Sequence, residues 1–412
     1  MKYVIIGNSA AGIGGIEGIR ELDKEGEIVL ISKEKEFTYS RPLISYYLGG
    51  EVNKEQMKYR PDDFYEKNGV TTIFGKAAVG VDSIGKAVTL DDGSAVTYDR
   101  LLVATGASPI MPPIPGLENV KEKYTFQSMA DALALEKAIG KNKRVLILGG
   151  GLIGLKCAEG LTGRVSSLTV IDREDHLLPS AIDKESAAYI EDAAKEQGIE
   201  CVLGENVVKI SGKKAVCESG REFSFDILVV AVGVRPETAL LKDAGAVIHN
   251  GIVVNRRNET SLNSIYAAGD CVEEKDVVDG NEKVLALLPN AALGGRNAGR
   301  NMAGGNAVYT DAVAINALPF WGNHLISAGQ TVGECFTEEK DGCFKKLYTE
   351  KDRLNGFVLI GDVSGAGIYT ALIRNRTKLS EIDFDMIKEK PQLAALSHRF
   401  RAEKLGGRTN EN

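Results

Sequence analysis

Two stretches of the chain repeat one pattern of apolar and polar positions. Residues 1–6 form a short apolar β-type run that breaks into Gly7-Asn8-Ser9-Ala10-Ala11-Gly12. A helical pattern follows to about Lys24, and a second β run covers Glu27 to Ile31. The same order returns further on: a strand at Arg144 to Leu148, a Gly-rich turn at Gly149 to Gly154, a helix at Leu155 to about Leu161, and a strand at Ser167 to Ile171. Each stretch reads as the β-α-β opening of a parallel sheet.

Between the copies, residues 108–116 hold four of the chain's 11 prolines. Such a run suits neither a helix nor a central strand and marks a crossing between domains. Gly233-Val234-Arg235-Pro236 marks a second crossing. From about Ile315 the chain has its own strand–helix pattern, including Leu354 to Ile360 and Ile368 to Arg376, which predicts a smaller third domain. Gly406 to Asn412 carries no pattern and is expected to fray.

The 412 residues are 43% hydrophobic and 26% charged, the balance of a soluble multidomain protein. A net charge of -7 argues against nucleic acid as the main partner. Glycine is in excess, with 46 residues, which suggests many tight turns or close approaches to a ligand. Cys157, Cys201, Cys217, Cys271, Cys335 and Cys343 contain no CxxC and no metal-ligand spacing, so no metal site is expected. Lys2 and the apolar Tyr3–Ile6 faintly resemble a signal-peptide start, but that run ends at Gly7, and no segment approaches the roughly 18 apolar residues of a membrane span. The expectation is a reduced, cytoplasmic protein without a membrane span.

Gly149-x-Gly151-x-x-Gly154 follows a strand, opens a helix, and is followed by Asp172. These glycines permit a tight turn and let a pyrophosphate reach the helix N-terminus, where N–H groups and the dipole favour anions. An acid at the end of the next strand accepts bonds from ribose hydroxyls and repels a 2′-phosphate, which favours NAD(H) over NADP(H). Arg173 beside it is able to serve a 2′-phosphate, so the preference stays open at this point. In the first copy Gly7 and Gly12 keep the outer positions, Ser9 replaces the middle glycine, and Ser32 stands where an acid would meet the ribose.

Three further segments carry a resemblance. Tyr98 to Ala107 contains Ala104-Thr105-Gly106, Leu228 to Pro236 reads as a closing strand, and Ile265 to Asp270 ends in Gly269-Asp270. With the two Gly-rich turns in this order, residues 1 to about 310 resemble the pyridine nucleotide-disulfide oxidoreductases, flavoproteins with two dinucleotide-binding domains. The resemblance implies an α/β fold with two Rossmann-like domains plus a smaller α+β C-terminal domain. It implies an FAD domain of residues 1–110 and 238–312, an inserted NAD(H) domain of residues 111–237, and a C-terminal interface domain of residues 313–412. The FAD contacts it implies are Gly7, Ser9, Ala11, Gly12, Ser32, Lys33, Arg41, Pro42, Ala78, Ala104, Thr105, Gly106, Gly269, Asp270 and Asn290. For NAD(H), as substrate, they are Gly149, Gly151, Leu152, Ile153, Gly154, Asp172, Arg173 and Gly233.

The departures from the family bear on the reaction. Disulfide-reducing members carry a cysteine pair after the FAD turn, and peroxidase or oxidase members carry a single cysteine there and a histidine in the turn. Here Phe37 to Leu48 contains no cysteine, Pro42 falls near the single-cysteine position, and Ala10 falls at the histidine position. The Tyr39-Ser40-Arg41-Pro42-Leu43 segment and Asn355 to Asp362 are similar to the branch of NADH:rubredoxin and ferredoxin reductases and the flavin portion of assimilatory nitrite reductases. That branch implies FAD as the sole redox centre, passing electrons between NAD(H) and rubredoxin, ferredoxin or an iron–sulfur subunit. The alternatives are an NADH oxidase using oxygen or a quinone, and a non-catalytic flavin-holding subunit of a larger complex.

Many relatives pair a Glu after the NAD turn with a Lys near the flavin; the matching positions here are Lys156 and Tyr46. Lys156 is expected near the nicotinamide, supplying positive charge, with Tyr46 and Arg41 beside the flavin; an exposed helical Lys and a loop-capping Arg are the plain alternatives. His176, His249 and His398 have no evident partner, and His324 lies beside Trp321, the only tryptophan. The basic stretch His398 to Lys404 is either a dock for an acidic carrier or a solvated helix face. A homodimer or larger redox complex is compatible with the family.

Overall fold

A computed structural model describes residues 1–310, 312–392 and 395. His398 and the stretches at 398–404 and 406–412 lie outside the described residues. Two parallel five-stranded sheets share the order of four strands, and the fifth comes from the end of the unit in the first and from before it in the second. The first runs β3 (Val70–Phe74), β2 (Glu27–Ser32), β1 (Lys2–Ile6), β4 (Arg100–Val103), β10 (Ile265–Ala267). The second runs β8 (Ile199–Leu203), β7 (Ser167–Asp172), β6 (Arg144–Leu148), β9 (Ile227–Val230), β5 (Lys123–Tyr124). In each, the first strand of the repeat is central and the chain reverses direction of winding beside it, which opens a crevice at the strand C-termini.

Side-chain alternation explains why the central strands are nearly continuous apolar runs. Tyr3 and Ile5 of β1 pack with Ile13, Ile16 and Ile19 of α1 (Ala10–Leu22), whereas Val4 and Ile6 enter a separate core with Val29, Leu101 and Ile265. Both faces of β1 are covered, so Tyr3 to Ile6 are apolar without a break. In the second sheet Val145 and Ile147 serve one core and Leu146 and Leu148 the other. The two crossings meet each other: Ala107–Pro109 pairs antiparallel with Val234–Pro236.

Part of the glycine excess serves helix packing rather than turns or ligands. A Cβ added at Gly18 of α1 would stand 2.2 Å from the Arg296 carbonyl oxygen, and one at Gly295 would stand 2.0 Å from the Ala11 oxygen. Only bare backbone lets α1 and α5 (Leu288–Met302) cross this closely, which brings the start of α5 beside the first turn.

The third sheet is antiparallel and runs β11 (Ile315–Phe320), β12 (Asn323–Gly329), β15 (Arg353–Ile360), β14 (Cys343–Glu350), β13 (Glu334–Lys340). Its Phe320, Phe344 and Val358 share a core with Leu155 of α3 (Leu152–Leu161) and Ile190 of α4 (Lys184–Glu196). A polar tie reinforces that seam. Asp183 accepts from the α4 backbone at Ser186 N (2.9 Å), from the Tyr348 hydroxyl (2.7 Å) and from the Lys346 ammonium, which also reaches Glu185. Burial pushes the Asp183 carboxyl up, but these donors outweigh it and hold it down at about 2. Among the described residues no helix is long and apolar enough to cross a membrane.

Candidate dinucleotide sites

The two Gly-rich turns are built alike. Gly7 has φ +116° and Gly149 φ +108°; an added Cβ would lie 2.0 Å from the Ala104 oxygen in the first and 2.3 Å from the Ala231 oxygen in the second. At Gly12 and Gly154 a Cβ would lie 1.9 Å from the carbonyl oxygen of the first glycine of the same turn. The outer glycines therefore make the turns. The middle position differs: Ser9 stands at the N-cap of α1 without a side-chain bond to the helix backbone, and Gly151 stands at the N-cap of α3 with nothing within 4 Å of an added Cβ. Both helices present their unpaired N–H groups and positive dipole ends to the crevice.

A cleft of about 680 Å³ opens over the first turn. Its walls include Gly7, Ser9 and Ala11 of the turn, and Ser32, Lys33 and Ala78 beside β2. Ala104, Thr105 and Gly106 after β4, together with Gly269, Asp270 and Arg41, complete it. Gly12 lies beneath the turn rather than on the wall. Pro42 opens the short 3-10 turn Arg41–Leu43 and does not line the cleft. Asn290 is a clear departure from expectation: its amide donates to Val313 O at 3.1 Å and its oxygen accepts from Tyr309, so the side chain faces the third domain, while its neighbour Ala291 reaches the cleft.

Charge in the cleft centres on Arg41 and Asp270. Arg41 donates to Ser9 Oγ (3.3 Å), the Tyr39 hydroxyl (3.2 Å), Gln127 O (3.2 Å) and the Glu34 carboxylate. Tyr39 in turn donates to Glu34 at 2.7 Å and accepts from Met129 N at 3.0 Å. Glu34 is a cleft residue that the sequence pattern did not single out; its signal was an acid two residues past Ser32. Asp270 receives no hydrogen bond among the described residues; burial raises its carboxyl, and the Arg41 charge opposes that rise. A half-buried carboxylate without a donor, on the wall of a long cleft that also opens on a helix N-terminus, suits a ligand with both hydroxyl groups and phosphates. These residues fit FAD.

At the second turn, Asp172 accepts from Gly150 N (2.5 Å) and Glu174 N (2.9 Å), which braces the turn against the strand end. Arg173 is exposed and pairs with Glu174. Leu152 and Ile153 begin α3 but pack sideways into hydrophobic cores. Gly233, φ +114°, follows β9 beside Ile110. Turn, acid and open N-cap fit a pyridine dinucleotide.

Lys156 is not an exposed helical lysine. It is 7% exposed; its ammonium donates to Glu159 and to Pro319 O (3.3 Å) and lies 4.3 Å from the centroid of the Tyr46 ring. Neither Lys156 nor Tyr46 lines the cleft. The charge expected for the nicotinamide is thus paired with a carboxylate. His176 and His249 do have partners, Asp175 at 2.7 Å and Glu273 at 3.2 Å. His249, Glu273 and Glu282 lie close enough for one metal ion, but Glu273 is already engaged with the backbone N–H groups of Asn250 and Gly251, so the arrangement is explained without an ion.

All six cysteines are free thiols and none lines the cleft. Burial pushes the Cys157 thiol far up, and Cys271, beside Asp270, up to about 11. Neither provides a thiolate.

The sequence pattern described as pyridine nucleotide-disulphide oxidoreductase matches residues 1–295. The epsilon subunit of an NADH-dependent phenylglyoxylate dehydrogenase from Aromatoleum evansii is 33% identical over 394 residues, covering 92% of this chain and 93% of that one. An NADH oxidase of Methanocaldococcus jannaschii is 34% identical over 322 residues, 75% of this chain and 71% of the other. The solved NADH:rubredoxin oxidoreductase of Clostridium acetobutylicum superposes with a TM-score of 0.76 at 25% identity, covering 94% of this chain and 99% of that one.

Proposed function

The chain belongs to the pyridine nucleotide-disulphide oxidoreductase family, and from that premise we propose that it is an FAD flavoprotein moving electrons between NAD(H) and a one-electron iron–sulfur carrier: a rubredoxin, a ferredoxin or an iron–sulfur subunit. The observation that carries this reading is a dinucleotide cleft with no sulfur in its walls. A dithiol or sulfenic-acid relay has no atoms to run on, so flavin is left as the only redox centre.

Bound FAD supplies the conversion between two-electron exchange with NADH and one-electron exchange with a carrier. The protein's part is binding and orientation. The α1 N-terminus and Ser9 would hold the pyrophosphate, Asp270 would accept from the ribityl chain, and Arg41 would offset negative charge between them. The Gly149–Gly154 turn and Asp172 hold NADH, with the acid favouring it over NADPH. The free thiols support a cytoplasmic setting.

A second reading is favoured by the phenylglyoxylate dehydrogenase relative, named as a subunit and matched over 93% of its length. In it the chain is the NAD(H)-facing flavin subunit of a larger complex. Both readings predict that NADH reduces rubredoxin or ferredoxin much faster than oxygen through this protein. Equal or faster aerobic NADH consumption without a carrier would favour an oxidase instead, and failure of NADH to bleach the flavin would leave only a flavin-holding role.

A further inference from the structure

We propose that the tip of the β11–β12 hairpin is a wedge that positions the nicotinamide end of the second site, and that Lys156 and Glu159 are the positioning residues that hold it. The inference rests on the reading of the Gly149–Gly154 turn as an NAD(H) site.

The hairpin turns on Trp321 and Gly322, with φ +47° and +85°. Glycine adopts such a conformation freely, but a bulky tryptophan does so only when its surroundings enforce it. The surroundings here are α3. The Trp321 N–H donates to Glu159 Oε1 at 2.7 Å, and its indole N–H donates to Thr162 Oγ1 at 3.2 Å. The other Glu159 oxygen takes the Lys156 ammonium, which also donates to Pro319 O on the incoming strand. Tyr46 of α2 (Ile44–Gly49) and Phe320 close over that ammonium, with ring centroids at 4.3 and 5.6 Å. One ion pair, with Lys156 buried and Glu159 half-buried, therefore joins three pieces of the chain.

Those pieces lead directly to the two sites. Helix α3 starts at the second Gly-rich turn, one turn of helix before Lys156. Helix α2 follows the 3-10 turn whose Arg41 lines the first cleft. The two helices touch backbone to backbone: a Cβ at Gly160 would stand 2.6 Å from Ser45 O. Where the hairpin tip sits fixes α3 against α2, and so fixes one dinucleotide site relative to the other. Lys156 acts through Glu159 and the hairpin rather than as a free charge.

The only tryptophan of the chain reports on this junction. The holoprotein is compared with Lys156→Met, with Lys156→Arg as the charge-keeping rescue, and with Thr162→Val, which removes the indole's acceptor without stranding a charge. Tryptophan emission is recorded, and flavin reduction is followed anaerobically against NADH concentration at equal FAD content. The expected result is red-shifted emission in Lys156→Met together with reduction slowed about tenfold or more at a given NADH concentration, as misplaced reactants produce. Lys156→Arg restores both, and Thr162→Val moves both in the same direction by less. Emission that shifts while NADH kinetics stay at wild type overturns the positioning role. Emission unchanged in both Lys156→Met and Thr162→Val overturns the wedge itself. If NADH fails to reduce wild-type flavin, the reading of the second site falls instead, and emission alone then decides whether these residues hold the hairpin.

Discussion

Gly151→Ala separates the ligand's demands on the second turn from those of the fold. Gly151 has an ordinary φ of −78°, and an added methyl meets nothing within 4 Å. Replacing glycine by alanine at an N-cap costs up to about 1 kcal/mol, and reduced freedom of the unfolded chain returns about 0.4–1 kcal/mol. Stability should therefore stay within about 1 kcal/mol of wild type. On the proposed placement of NADH the bound state is different, because the methyl would stand where the pyrophosphate approaches the α3 N-terminus. Losing one charge-assisted hydrogen bond there costs about 1.5–3 kcal/mol, or roughly 10- to 150-fold in NADH affinity. Thermal melting and the NADH dependence of anaerobic flavin reduction measure the two effects separately. Gly154→Ala is the structural control: its Cβ would stand 1.9 Å from Gly149 O, so melting itself should collapse. A Gly151→Ala protein that melts normally and binds NADH within about twofold of wild type would refute the placement of pyrophosphate at this turn.

Asp270→Ala should lower FAD affinity by about 10- to 100-fold through loss of a hydrogen bond to a charged group, read as FAD retained per chain after gel filtration; full retention would remove Asp270 from the site. Glu274 is buried with one carboxylate oxygen unpartnered, and burial, then the Asp270 charge, raises it to about 8. Its proton is held in the fold but lost in the unfolded chain, so stability falls as pH rises from about 4.5 to 8 by at most about 5 kcal/mol. Glu274→Gln should flatten that slope in melts at pH 5 and pH 8; an unchanged slope refutes the assignment. Asp183 has the opposite sign: its contribution is complete above the ordinary carboxylate range and is lost as pH falls towards about 2. Asp183→Ala, which removes a helix cap and one partner of Lys346, should cost about 2–4 kcal/mol at neutral pH and little near pH 2, measured by urea unfolding.

What the sequence made legible was local. Gly7, Gly12, Gly149 and Gly154 are dictated by turns a few residues long, so their spacing located both turns, while the reading of what the turns bind needed the segments further along the chain. Ser9 in place of a glycine made the first turn look degenerate, yet the outer glycines do the same steric work in both copies. Proline and glycine marked the segments at 108–116 and 233–236 as breaks in the pattern, although their pairing with each other was not readable. Long-range polar partners left no local trace. Lys156 is held by Glu159, one helical turn away, but also by a carbonyl 163 residues on. Asn290 turned to Val313 O because α5 starts beside the irregular segment that leads into β11. The glycine excess read as turns and ligand approaches hid the packing glycines of α1 and α5, because periodicity does not reveal which helix a face will meet.

The measurement that bears most directly on the central claim is an anaerobic titration of the purified flavoprotein with NADH, counting electrons taken up per flavin. With no sulfur in the cleft, uptake should stop at about two electrons, and the reduced protein should then pass them singly to an added rubredoxin or ferredoxin. Uptake of about four electrons would require a redox-active disulfide and would contradict a flavin that acts alone.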